Sequence, residues 1–221
     1  GAENENLASA VTVGALSKSP PLVVTRMTPK RGAVELNYIA TINELPFGSL
    51  QDAINAADNN TVTLVSDIVL DTPLEVSSGK SVVLDLNGKT ITETATSASA
   101  SYLMSVKSGG ELTIKNGTIS FAATTPDTMW GGEGQPPYPG YANNTITNMG
   151  TLTIKSGTIE NATEYGKAAF PIDNYSYDSD AYLYIEGGVI TGRGAIRQYA
   201  PYTNYKNEVY IKGGTITGTS Y

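Results

Sequence analysis

Five near-copies of one eight-residue segment run through this chain: Leu84–Ile91, Leu112–Ile119, Leu152–Ile159, Leu183–Ile190 and Val209–Ile216. In each, the first and third residues are apolar, as in Leu112/Ile114 or Leu183/Ile185, which places them on one face of a strand. A glycine follows, at Gly88, Gly117, Gly157, Gly188 and Gly214. Gly88 arrives one place earlier than the others. The eighth residue is isoleucine every time: Ile91, Ile119, Ile159, Ile190 and Ile216. A glycine corner between two apolar positions returns the chain to a shared interior. The copies start 28, 40, 31 and 26 residues apart, within the range typical of solenoids, and the unevenness predicts a constant coil with loops of different length inserted.

Each copy is preceded by a further apolar strand, such as Leu103/Val106 and the stretch around Ile146. Three short strands per turn predict an all-β chain folded as a right-handed parallel β-helix (a β-solenoid). The competing architecture is a hairpin sandwich, because Asn87-Gly88 and Asn116-Gly117 also suit type I′ turns. The arms after the glycines soon become polar (Glu160-Asn161, Thr217-Gly218), which favours the solenoid.

Residues 1–39 read as an irregular segment or linker, broken by Pro20-Pro21 and Pro29, and 40–221 as the β-helix domain. A single short helix is predicted near 49–57. Ser49 caps it, Asp52 completes an S-x-x-D capping box, and Leu50, Ala53, Ile54 and Ala57 share one face. So short a helix needs an apolar surface beneath it, and the open end of the β stack supplies one.

Composition narrows function by exclusion. The formal charge of −7, with no basic run, argues against nucleic acid. The chain has no Cys and no His, which removes disulfides, thiolate catalysis, His-ligated zinc and His-based triads. No membrane span is expected in this chain. Gly1 looks like a protease scar, so the N-terminus is silent on export.

Three segments carry a resemblance: Phe47-Gly48-Ser49-Leu50-Gln51-Asp52-Ala53-Ile54, Thr61-Val62-Thr63-Leu64, and the run from Gly79-Lys80-Ser81 to Lys89-Thr90-Ile91. In these the chain resembles the pectin-lyase-like right-handed parallel β-helix modules of bacterial surface and adhesin-like proteins, from about residue 40 onward. The resemblance implies a fold more than a function, since such a fold hosts lyases, hydrolases and non-enzymatic adhesins. The hydrolase and lyase signatures of the superfold (N-T-D with paired Asp and G-H-G, W-x-D-H, R-x-P-x-x-R) are absent.

Four sets of residues are candidates for chemistry or binding. The fourth repeat positions, Asn87, Lys115, Lys155, Glu186 and Lys212, form an expected outward column, whose plain reading is a solvated charge ladder worth about 0–1 kcal/mol per pair. Asp173, Asp178 and Asp180 place three carboxylates in one loop, a weak calcium candidate set against a simple polar turn. Flat threonine arrays on solenoids can bind ice, but the ladder Thr90, Thr118, Thr158, Thr215 is broken and its coils are irregular, which favours plain β-propensity.

Aromatic residues are the strongest candidates. Ten of the 14 tyrosines lie from Tyr165 onward. Tyr184 and Tyr210 are predicted to stack in successive coils, with Tyr182, Tyr199, Tyr202 and Tyr205 in adjoining loops. Trp130, Tyr138 and Tyr141 lie in the longest insertion. Exposed aromatic rings commonly hold sugars, and they also stabilise loops without any ligand.

These features predict a non-catalytic, exported, adhesin-like module at the extracellular face or cell surface, with extracellular glycan or a host-surface component as partner. The alternative is a carbohydrate-active β-helix enzyme, a polysaccharide lyase or glycoside hydrolase. No cofactor is required beyond possible Ca²⁺. The last repeat ends five residues from Tyr221, so end-to-end self-association through an open edge is also expected.

Overall fold

The computed structural model describes residues 37–93, 102–122, 128–129, 138–139, 144–163 and 169–218. The predicted irregular segment lies almost wholly outside these. The N-terminal end of the stack is built first. Strands β1 (Ala40–Ile42) and β2 (Leu45–Phe47) form an antiparallel hairpin, and helix α1 (Leu50–Ala56) follows. Ser49 caps the helix as predicted, its Oγ accepting the Asp52 N–H at 3.3 Å. Leu50, Ala53, Ile54 and the C-cap Ala57 are all buried, so the helix lays its apolar stripe on the stack.

Six turns of solenoid follow. The first comprises β3 (Thr61–Leu64), β4 (Ile68–Leu70) and β5 (Leu74–Val76); the second β6 (Ser81–Asp85), β7 (Thr90–Glu93) and β8 (Tyr102–Val106). The third contains β9 (Glu111–Lys115), β10 (Thr118–Phe121) and β13 (Asn144–Asn148), with the short antiparallel pair β11 (Thr128–Met129) and β12 (Tyr138–Pro139) inserted. The fourth is β14 (Thr151–Ile154), β15 (Thr158–Asn161) and β16 (Ile172–Tyr175); the fifth β17 (Ala181–Ile185), β18 (Val189–Gly192) and β19 (Ile196–Tyr199). The sixth holds β20 (Asn207–Ile211) and β21 (Thr215–Gly218).

Like strands of successive turns pair in parallel to make three sheets. Sheet I runs β3-β6-β9-β14-β17-β20, with β1 and β2 added antiparallel at its start; sheet II runs β4-β7-β10-β15-β18-β21; sheet III runs β5-β8-β13-β16-β19. The chain is therefore a parallel β-helix, and the hairpin sandwich is excluded. The length differences between turns arise mainly at one corner, between sheets II and III. There β7 to β8, β10 to β13 and β15 to β16 are widely separated in sequence, whereas β18 to β19 is not.

The repeated isoleucines stand directly over one another in sheet II, in the order Ile68, Ile91, Ile119, Ile159, Ile190, Ile216. From Ile91 to Ile190 they are fully buried. The threonine column is likewise in register, with Val189 between Thr158 and Thr215.

Two expectations about register are corrected. Leu84 pairs with Ile114 rather than with Leu112, which instead faces Val82. The turn after Leu84 is two residues longer than the later corners, and it is made with Asn87 and Gly88 both at positive φ. The outward column therefore begins at Asp85, not Asn87, and Asp85 makes a 3.1 Å ion pair with Lys115. Burial works to raise the Asp85 carboxyl, but the hydrogen bond from Lys115 and those from Asn87 and Asn116 outweigh it and hold the group below its ordinary value. The expected ladder through Lys155, Glu186 and Lys212 makes no ion pair; among the described residues such pairs join only Lys107–Glu75, Lys115–Asp85 and Arg197–Asp173.

The two ends differ. At the N-terminal end β1 covers the edge of sheet I, and Gln51 of α1 covers that of sheet III. Its Nε2 donates to the Glu75 carbonyl at 2.9 Å and its Oε1 accepts the Glu75 N–H at 2.8 Å, standing in for a missing strand. At the C-terminal end Ile211 is 59% exposed, although Ile185 beneath it is buried.

Candidate functional site

The ring-stacked tyrosines divide between two sheets of the last three turns. On sheet I, Tyr182 and Tyr184 alternate with buried Ala181, Leu183 and Ile185, so they point outward from β17. They belong to a strand, not to a loop as the sequence suggested for Tyr182. Tyr184 stacks on Tyr210 of the next turn, with centroids 5.0 Å apart and planes 6° apart, as the repeat predicted. The Tyr210 hydroxyl donates to Glu208 Oε2, and this bond pushes the phenol up to about 12.

On sheet III, Tyr199 also lies in a strand, β19. It stacks on Tyr175 at 5.3 Å, and Tyr175 stacks on Tyr177 at 6.1 Å. Tyr202 meets Tyr177 edge-on at 5.0 Å, with the two hydroxyls 3.2 Å apart. Tyr175 and Tyr177 fall among the ten late tyrosines counted from the sequence but were not singled out as binding residues, because the register that brings Tyr199 and Tyr202 onto them was not visible. Stacking along the axis has a chemical consequence. Each stacked pair covers one face of each ring, while the end rings Tyr210 and Tyr199 stay exposed.

Arg197 is another residue that sequence reasoning passed over. It lies beside Asp173 in register, and its Nε donates to Asp173 Oδ1 at 2.8 Å while Nη2 reaches Oδ2. Asn144 donates to the same carboxylate at 3.0 Å. The guanidinium also sits 5.5 Å from the Phe170 ring and 5.6 Å from the Tyr199 ring. Asp173 is 2% exposed, so this is a buried carboxylate neutralised by its partner.

The calcium candidates therefore do not converge. Asp173 is committed to Arg197, Asp178 is exposed, and Asp180 turns toward sheet I, where its oxygens accept the Lys206 N–H and the Tyr182 hydroxyl, both at 2.9 Å. Among the described residues no group of three carboxylates is arranged to hold a metal ion.

What the fold does bring together is a groove at the corner between sheets III and I. It has a volume of about 390 Å³ and runs along the turns that open successive coils. Ser108, Gly109 and Gly110 come from one turn, Gly150 from the next, Ser179 and Asp180 from the third, and Tyr205 from the fourth. The outward residues Glu111, Thr151 and Tyr182, in register on sheet I, form the side wall. Two predicted aromatics, Tyr182 and Tyr205, thus meet one former metal candidate, Asp180, and Glu111, which the sequence did not single out.

The floor is bare backbone for a packing reason. A Cβ on Gly150 would lie 2.4 Å from the Gly110 carbonyl oxygen, so only glycine lets these turns stack. Asp180 is held below the ordinary carboxylate range by the Lys206 N–H and then by the Tyr182 hydroxyl, which is itself raised by that bond. Tyr205 is 37% exposed and belongs to neither ring stack. Among the predicted aromatics, Trp130 and Tyr141 lie outside the described residues, and Tyr138 opens strand β12.

Comparison with protein-family models, with curated proteins and with solved structures finds no match to this chain.

Proposed function

We propose that this chain is a non-catalytic, adhesin-like binding module of an extracellular or cell-surface protein, and that it holds glycan in the corner groove. The observation that carries this reading is the convergence of Tyr205, Tyr182, Asp180 and Glu111 around a floor of closely stacked glycine turns. A sugar has two recognition surfaces: an apolar C–H face that packs on an aromatic ring, and a rim of hydroxyls that donate to carboxylates and carbonyls. The groove supplies both, and its volume is in the range of small-ligand sites. A β-helix suits the role because its rungs hold the groove without any loop having to order on binding.

The enzyme alternative has one feature in its favour, the two carboxylates Glu111 and Asp180 in one groove. Glycoside hydrolysis needs one of its acids protonated near neutral pH. Asp180 is shifted the other way by its two donors, which fits it to the ionised member of such a pair and not to the acid. A glycan array probed with the purified chain tests the proposal: specific glycan binding without release of new reducing or unsaturated ends is expected. An array on which nothing binds removes the glycan reading, and product release from a polysaccharide panel replaces it with the enzyme.

A further inference from the structure

We infer that the corner groove selects neutral, hydroxyl-rich glycans and rejects those built from uronic acids; this rests on the glycan-binding reading above and assigns its ligand class. The argument begins with charge. Two carboxylates, Glu111 and Asp180, line the groove, and its lining contains neither Lys nor Arg. Glu208 extends the side wall, lying beside Tyr182 in register.

The two lysines nearest in sequence do not reverse this sign. Lys107 precedes the floor but turns to sheet III, where its Nζ sits 3.2 Å from Glu75 Oε2 and over the Tyr102 ring. Lys206 follows Tyr205; it serves Asp180 through its backbone N–H, and its ammonium offsets part of that one carboxylate's charge while leaving Glu111 untouched. A polyanionic chain entering here would bring its carboxylates against two fixed ones, on a protein of net charge −7. Neutral hydroxyls, by contrast, donate well to ionised carboxylates, and such charge-assisted bonds are the stronger kind.

Geometry sets the size. The groove spans four successive turns, or three rung spacings, about 14 Å at the separation of paired strands. That length fits a short run of sugar rings laid along the solenoid axis. The lack of side chains at exposed Gly109 and at the buried Gly110 and Gly150 keeps the floor low, and the exposed Tyr205 ring ends the run with an apolar face. Tyr182 plays a positioning part, since its hydroxyl is already given to Asp180.

The test measures affinity of the intact chain for three probe sets: cello-, manno- and xylo-oligosaccharides, oligogalacturonate, and chitosan oligomers. Two variants accompany it, Tyr205→Ala and Glu111→Gln, both at exposed positions and checked for an unchanged circular dichroism spectrum. Binding of a neutral oligosaccharide that weakens about tenfold in Tyr205→Ala and measurably in Glu111→Gln, with no binding of oligogalacturonate, is expected. Equal or tighter binding of oligogalacturonate overturns the inference and leaves glycan binding standing. A preference for chitosan that disappears at high salt also overturns it, in favour of a cation site. Neutral binding unaffected by either variant places the ligand elsewhere, and failure of all three sets removes the functional reading itself.

Discussion

Truncating the isoleucine column measures how tightly the turns are stacked, and Ile159→Ala is the most informative cut. Ile159 is fully buried, between equally buried Ile119 and Ile190 in the turns on either side. The substitution removes three carbon groups from the interior, about 2.4 kcal/mol at roughly 0.8 kcal/mol each. Its rigid neighbours above and below cannot close the gap, so a cavity term adds to this and the total becomes about 3–4 kcal/mol. Ile216 occupies the same position in the last turn but is only partly buried, with Ile211 of that turn largely exposed. Ile216→Ala should therefore cost about 1 kcal/mol or less, since part of its surface already meets water. Urea unfolding followed by both far-ultraviolet circular dichroism and tyrosine fluorescence gives the two values, with coincidence of the probes required because solenoids can unfold in parts. Equal costs at the two sites, or a cost below about 1 kcal/mol at Ile159, would refute a continuous buried spine.

Three further outcomes follow from named contacts. Arg197→Ala leaves the buried Asp173 carboxylate without its partner and should cost about 3–5 kcal/mol in urea unfolding, much of it recovered when Asp173→Asn is added. Gly157→Ala should destabilise by at least about 1–3 kcal/mol in the same assay, because φ is +92° and the new Cβ would lie 2.3 Å from the Gly117 carbonyl oxygen. Burial raises the Glu93 carboxyl above its ordinary value, and its Oε2 has no hydrogen-bond partner. A raised acid favours the fold while protonated and opposes it once ionised, so its contribution is present below the ordinary carboxylate range and lost as pH climbs through the folded-state value. Glu93→Gln should accordingly raise the melting temperature at about pH 7 and lose that advantage at about pH 3.

Much of the architecture was legible because one position is nearly invariant within the chain. Isoleucine at the eighth place marks the interior of sheet II, and the preceding apolar pair marks sheet I. The first repeat, in the second turn, is misleading for a local reason: an Asn-Gly corner two residues longer than those of the later repeats shifts Leu84 by one inward position, from the Leu112 column to the Ile114 column. Both are apolar, so the pattern alone could not reveal the slip. Sheet III was harder to read because its middle strands are buried on both faces. The strand Asn144–Asn148 is polar at four of five positions and still buried throughout. Asn148 is bonded across turns, donating to Asn174 Oδ1 at 2.7 Å, and Asn174 continues the ladder to Asn207 Oδ1 at 2.8 Å, whereas the Asn144 Oδ1 is buried without a partner.

The site shows the same division. Stacking of Tyr184 on Tyr210 could be foreseen because both occupy one repeat position. The calcium reading of Asp173, Asp178 and Asp180 rested on proximity in sequence. It gave no hint that Arg197, 24 residues away, would claim the first, or that Asp180 would face another sheet. The groove itself draws one turn from each of four coils, so no local window contains it. Glu111 and Gly150 become visible as its parts only once the coils are in register.

Register is the claim on which both fold and groove depend, and the absence of native cysteine allows a clean test. Thr113 and Thr153 are direct partners on the outer face of sheet I, one turn apart, whereas Thr113 and Tyr184 are separated by two turns. Adjacent parallel strands lie about 4.8 Å apart, within the Cα range a disulfide requires, and strands two turns apart lie beyond it. On mild oxidation the double variant Thr113→Cys with Thr153→Cys should close an intramolecular disulfide, read by mass and by the peptides joined. The pair Thr113→Cys with Tyr184→Cys should not. A cross-link in the second pair, or none in the first, would contradict the stacking of these turns.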